Sequence, residues 1–178
     1  MFKSSPREGS DSVRLMYLMS LAAARKHILL ANAYFVPDDL AIEALVAARK
    51  RGVRIEIIVP GPRIDTALTR RASRSRWGKL LEAGINIYEY QPTMYHCKVM
   101  IVDGLWVSVG STNFDNRSFR LNDEANLNVL DEKLAHEQAT VFEEDRRRSR
   151  QITLEEWKQR PWKEKLMETA AGLLRSQV

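Results

Sequence analysis

Two short apolar runs separated by a helix-length segment set the strongest limit on how this chain can fold. His27-Ile28-Leu29-Leu30-Ala31-Asn32-Ala33 shows no polar alternation, and Val53 to Pro60 behaves in the same way. A strand with one wet face alternates apolar and polar residues, so such runs read as strands covered on both faces. Pro37 stops the first run, since it has no N–H for a ladder and holds its predecessor extended. Asp38 or Asp39 can cap a helix over 40–51 that Gly52 ends. Strand, helix and strand in this order make a crossover that, within one sheet, is parallel and right-handed. The expectation is an α/β fold: a three-layer αβα domain with a mostly parallel or mixed central sheet, plus C-terminal helices.

Residues 1–10 are polar and interrupted by Gly and Pro, which predicts a disordered lead-in, with Ser10 or Asp11 capping a first helix. A second helix is expected over 65–83, stopped by Gly84, and a third strand over 85–90. Asp103-Gly104 between apolar runs at 97–102 and 105–110 is a strong hairpin signal. A further strand follows at 125–130, then an amphipathic helix over 131–150. Thr153 caps a short helix through Trp157, and a helix begun at Pro161 closes at Leu174. The organisation expected is one domain over 11–150, with 151–178 as a helical extension packed on it. Trp157 and Trp162 read as packing residues under the last helix.

Composition excludes little. The net charge of +5 suits phospholipid headgroups, nucleic acid or no partner at all. Arg70, Arg71, Arg74 and Arg76 fit either a solvated helix face or a lip facing headgroups. The single cysteine rules out an intrachain disulfide. No apolar run approaches the roughly 18–20 residues of a membrane span, so any contact with a membrane is expected to be peripheral or to belong to sequence absent here.

The chemistry concentrates in one pattern: His96-x-Lys98, four residues, Asp103, six residues, Gly110-Ser111-x-Asn113. Residues two apart in a strand share a face, so imidazole and ammonium project to one side. The hairpin's second strand delivers Ser111 and Asn113 towards the same mouth. A cation, a hydroxyl, an amide and a small glycine suit a bound oxyanion beside a nucleophilic or basic imidazole. Taken singly these residues say little, and Asp103 in an Asp-Gly turn needs no function; the conjunction carries the signal. Cys97 alternates with both motif residues and should face the core. His27 and His136 read as structural or surface residues. No cluster has metal-ligand spacing, and no metal or other cofactor is expected.

This pattern resembles the HKD motif of the phospholipase D superfamily. Asn32-Ala33-Tyr34-Phe35-Val36-Pro37-Asp38, Arg51-Gly52-Val53, the stretch from Leu81 to Tyr90, and Asn113-Phe114-Asp115-Asn116-Arg117-Ser118-Phe119 through Glu124 are similar to the C-terminal half of bacterial cardiolipin synthases. The resemblance implies a catalytic set of His96, Lys98 and Asp103, with Asp103 structural within it. His96 would attack phosphorus to form a phosphohistidine or protonate the leaving alcohol. Lys98 and Asn113 would hold phosphate oxygens with support from Ser111, and Glu124 would orient the imidazole. It further implies cardiolipin synthesis from two phosphatidylglycerol molecules, anionic phospholipid as partner, and a peripheral place on the cytoplasmic face of the bacterial inner membrane. A metal-independent HKD nuclease or phosphodiesterase is the alternative, although interleaved aromatics for base stacking are missing and nucleic acid is not the expected partner. A non-catalytic subunit binding membrane or protein is a third reading.

The family mechanism uses two HKD motifs, and one is found: His27 is followed by Ile28 and Leu29, with no lysine at the required place. The second motif is therefore expected from an upstream half or from a two-fold-related copy, unless the chain is an inactive remnant.

Overall fold

The computed structural model describes residues 2–5 and 12–173. The predicted crossover is present. β2 (His27–Asn32) is buried from Ile28 onward, and α2 (Asp39–Lys50) starts at Asp38, whose carboxylate accepts from the Ala41 N–H at 2.8 Å. Gly52, at φ 93°, turns the chain into β4 (Arg54–Pro60), parallel to β2. β5 (Asn86–Tyr90) extends the parallel set. On the other side of β2 lies the predicted hairpin, β6 (Lys98–Val102) and β7 (Trp106–Gly110), both paired antiparallel to their neighbours. Its turn has Asp103 and Gly104 at φ 55° and 69°, and the Leu105 N–H donates to the Val102 carbonyl, the geometry that Asp-Gly favours.

β9 (Glu124–Leu130) lies beyond β7, and β1 (Phe2–Ser4) at that edge, while β10 (Ser149–Ile152) closes the other, giving the order β1-β9-β7-β6-β2-β4-β5-β10. The pairings make β1, β7, β2, β4 and β5 run one way and β9, β6 and β10 the other, a mixed sheet. β3 (Phe35–Val36) and β8 (Phe114–Asp115) form a separate parallel pair over the end of the sheet. One face carries α1 (Ser12–Ala23), α2, α3 (Ala67–Ser75) and α4 (Trp77–Glu82). There Val13, Leu45 and Trp77 bury against Ile28, Leu30, Ile57 and Ile87. The other face carries α6 (Glu132–Arg147), with Ala135 and Phe142 against Leu29, Ile58, Ile101 and Val107. Alternate residues of each central strand thus serve opposite layers, which explains the unbroken apolar runs.

Four expectations change. Phe2–Ser4 pairs with Asn126–Glu124 instead of belonging to a disordered lead-in; residues 1 and 6–11, with the candidate caps Ser10 and Asp11, lie outside the described residues. The helix expected over 65–83 is split at Arg76. The break buries Trp77 completely, with its indole N–H donating to Ser73 Oγ, and turns Gly78 under the Trp157 ring, where a Cβ would collide. The helix expected to reach Arg150 ends at Arg147, because Ser149–Ile152 pairs with the free edge of β5. Finally, Trp162 is 69% exposed and is no packing residue.

Of Arg70, Arg71, Arg74 and Arg76, only Arg71 is exposed as a solvated face requires; the other three are half-buried in ion pairs. Glu89 on β5, 1% exposed, binds Arg70 at 2.6 Å, Arg74 at 3.1 Å and Arg150 at 3.2 Å. Arg74 also meets Glu168 at 2.8 Å, and Arg76 pairs with Asp39. This network ties β10 and α8 (Trp162–Leu173) to α3. α7 (Leu154–Gln159), capped by Thr153 as predicted, contributes Trp157, whose N–H donates to the Arg74 carbonyl at 2.9 Å.

Candidate active site

The site forms where β2 ends and β6 begins. Two buried asparagines hold the segment between them in place. Asn32, fully buried, accepts through Oδ1 from the backbone N–H groups of Tyr34 (3.2 Å) and Phe114 (3.0 Å). Asn126, also fully buried, accepts from Thr112 Oγ1 at 2.7 Å and donates to Tyr17 Oη and Ser108 Oγ. The loop 111–113 is thereby pinned from two strands. Gly110 is required here, since a Cβ would collide with the Ala125 carbonyl. α5 (Asn116–Arg120) follows directly, capped by Asp115.

His96 precedes β6, is exposed, and meets the Tyr34 ring edge-on, with centroids 5.9 Å apart. Lys98 is buried at 8% exposure and its Nζ reaches the His96 carbonyl at 3.4 Å. Burial lowers the Lys98 pKa, opposed by the charge of Glu124 and, more weakly, of Cys97, Asp65 and Asp115. Among the described ion pairs none involves Lys98, so its charge remains open to an anion. Cys97 faces the α6 layer, as its alternation predicts, and burial raises its thiol pKa.

Ser111 and Asn113 lie on the loop after β7, which is tied to Tyr34 by the Phe114 N–H donating to the Tyr34 carbonyl. Asn113 lines a cavity of about 400 Å³ together with Tyr34, Thr69, Asp115, Arg117 and Asn122, and its Oδ1 is buried with no hydrogen-bond partner among the described residues. Ser111 donates its hydroxyl proton to the Glu124 carboxylate and accepts the Ala125 N–H at 3.1 Å. This departs from the expected role of Glu124. Its oxygens are taken by Ser111 and by the Asn122 amide at 3.3 Å, and within the described residues no hydrogen bond joins Glu124 to His96.

Asp103, expected in one set with His96 and Lys98, stands apart from them in the structure and contacts backbone instead. The hairpin carries it to the far end of β6, where its carboxylate accepts the N–H groups of Arg25 (2.9 Å), Lys26 (2.7 Å) and His27 (2.9 Å). Partial burial pulls its pKa upward, but these three donors win and hold it below the ordinary value.

Sequence reasoning gave no role to Asp115, which is 2% exposed and lines the cavity while capping α5 through the Ser118 N–H at 2.7 Å. Burial raises its pKa to about 6 against the pull of that N–H. It lies within the stretch singled out by resemblance, but spacing alone does not tell a cap from a cavity carboxylate. Among the described residues no three His, Cys, Asp or Glu side chains gather as metal ligands would.

Residues 17–146 match the family described as cardiolipin synthase, PLD-like domain. The cardiolipin synthase of Geobacillus kaustophilus is 36% identical over 169 residues, covering 95% of this chain and 34% of that protein. The minor cardiolipin synthase ClsB of Bacillus subtilis is 36% identical over 154 residues, covering 86% and 38%. The chain thus spans about a third of the length of these relatives. The phospholipase D family member Nuc from Salmonella typhimurium superposes with a TM-score of 0.73 at 28% identity, covering 85% of this chain and 95% of that one. The phosphatidylserine synthase of Haemophilus influenzae shares the fold, with a TM-score of 0.72 at 15% identity over 93% of this chain and 44% of that one.

Proposed function

The chain belongs to the cardiolipin synthase, PLD-like domain family, and from that premise we propose that it forms one half of a phosphatidyltransferase site that makes cardiolipin from two phosphatidylglycerol molecules. The observation that carries the reading is an exposed imidazole two residues from a buried lysine that has no ion pair among the described residues, the imidazole standing edge-on to Tyr34, which lines a polar cavity with Asn113. Lys98 and Asn113 hold the non-bridging oxygens of the phosphodiester, neutralising charge as it builds on them. One imidazole attacks phosphorus and a second protonates the departing glycerol, leaving a phosphatidyl-histidine. The headgroup hydroxyl of a second phosphatidylglycerol then attacks phosphorus, returns its proton to the second imidazole, and leaves as cardiolipin. Glu124 supports the loop through Ser111 in the isolated chain and turns to an imidazole once the site is complete.

His96 supplies one imidazole, and the other comes from an upstream half carrying a second motif or from a two-fold-related copy. In favour of such a partner, Val109 and Leu127 are cross-strand neighbours 42% and 53% exposed, next to Gly110 at the mouth. Reaction on lipid also implies a peripheral position on the inner face of the bacterial membrane; no helix of the described residues is long and apolar enough to cross one. The nuclease reading keeps the net charge of +5 but loses part of its arginine clusters, because Arg70, Arg74, Arg76, Arg146 and Arg150 are engaged in ion pairs within the chain while Arg71 and Arg148 stay exposed. Brief reaction with phosphatidylglycerol, denaturing quench and mass spectrometry of the His96 peptide test the covalent step, using the chain with and without its second half. A phosphatidyl mass on His96, or on the partner's histidine, is expected. Turnover with neither histidine ever labelled argues against it.

A further inference from the structure

The terminal helix is mounted with its apolar side outward. Glu168, 2% exposed, accepts from Arg74 Nε at 2.8 Å and Arg160 Nε at 2.6 Å, and Ala171 buries against Ala72 and Val36. These two residues, three apart, mark the side of α8 that rests on α3. At about 100° per residue the opposite side carries Trp162 and Leu166, which are 69% and 62% exposed. Lys163 and Lys165, both exposed, fall on either flank of that pair, while Glu164 turns back towards Arg74 at 3.9 Å. Helix burial normally runs the other way, with the apolar stripe towards the core.

We propose that the outward side of α8 docks on an anionic lipid surface, with Trp162 and Leu166 entering the boundary between headgroups and acyl chains. Lys163 and Lys165 then lie level with the lipid phosphates. An exposed aromatic and aliphatic pair bordered by lysines matches an interfacial helix in both shape and charge. The choice of a bilayer as occupant rests on the lipid-substrate reading above. A second motif has to meet His96 at the mouth, where the exposed Val109 follows Val107 on the α6 face of the sheet. α8 sits on the other layer, on α3, which anchors to Glu89 beside Ile87. The same α3 supplies Thr69 to the cavity wall, so docking through α8 holds the bilayer one helix away from the site.

The test is vesicle sedimentation of the full chain with phosphatidylglycerol–phosphatidylcholine and pure phosphatidylcholine vesicles. Wild type and His96→Ala are expected to bind the anionic vesicles alike, which separates docking from turnover. Trp162→Ala with Leu166→Glu should weaken binding about tenfold or more. Lys163→Glu with Lys165→Glu should abolish the preference for anionic vesicles. Both pairs are solvent-exposed, so an unchanged Tm confirms that each variant is folded. Absence of vesicle binding by wild type overturns the proposal, as does equal binding by wild type and Trp162→Ala/Leu166→Glu. A fall in oligomeric mass in that variant with lipid binding intact also overturns it, assigning the face to a chain–chain contact.

Discussion

Asn32 and Lys98 face each other in the antiparallel register of β2 and β6. One position in the sheet therefore joins the buried amide that fixes the loop to Phe114 and the cation proposed to meet the phosphate. Loss of the amide is transmitted to the site because the Tyr34 and Phe114 N–H groups then lack their acceptor. Asn32→Leu should cost about 1–3 kcal/mol of stability and lower turnover per folded molecule. Denaturant unfolding and a lipid assay on the same sample check both, and unchanged turnover would separate Asn32 from the site.

Asp103 accepts three backbone N–H groups at the far end of β6, a role in the fold that leaves the proposed chemistry to the rest of the motif. Asp103→Ala removes the acceptor of three backbone N–H groups, two of them exposed, and should cost about 1–2 kcal/mol, with turnover per folded molecule changed less than about twofold. Since its folded pKa is lowered, its stabilisation is complete above the ordinary carboxylate value and is lost as pH falls through the lowered one. The difference in Tm between wild type and Asp103→Ala should therefore shrink in acid. Loss of activity with Tm intact would show a catalytic role instead.

Asp115 gives the opposite sign. Its folded pKa is raised from 3.8 to about 6, so the folded state binds the proton more tightly and stability falls as pH rises from about 4 to 6. The full cost, about 3 kcal/mol at most, is present above pH 6. Asp115→Asn keeps an acceptor for the α5 cap and should flatten that fall, as read from urea midpoints across the range. An identical fall in wild type and variant would locate the effect elsewhere.

Glu89 compensates three guanidinium groups while almost wholly buried. Glu89→Ala leaves Arg70 without its carboxylate and Arg74 and Arg150 with only their second partners, Glu168 and Glu156, and should cost about 3–5 kcal/mol. Arg150 loses its anchor to β5, so amide exchange should rise in β10 and α8 before the central strands. Uniform exchange across all strands would contradict this order.

The legible part of the molecule is the part whose signals are local. The apolar runs of β2 and β4 could serve no sheet with a wet face, Asp103-Gly104 fixed the hairpin, and that hairpin fixed which residues reach the mouth. What escaped depended on distant partners. Ser149–Ile152 has no strand pattern of its own and forms β10 through the edge of β5 and the pairing of Arg150 with Glu89. Trp162 looked like core by its chemistry, yet the Glu168 ion pairs set the rotation of α8 and turn it outward. Glu124 is in place at the mouth, but Ser111 competes for its carboxylate, a contest that spacing does not reveal. Asp115 was visible as a residue and invisible as a cavity wall, because α5 and α3 meet only in the fold.

The central claim is that His96 carries out phosphatidyl transfer in a site completed by a second imidazole. Conversion of labelled phosphatidylglycerol to cardiolipin and glycerol should be measured for the chain combined with its second motif, as wild type and as His96→Ala. The account predicts both products from wild type and a loss of about a thousandfold or more in the variant. Cardiolipin formed at the same rate by His96→Ala would contradict it.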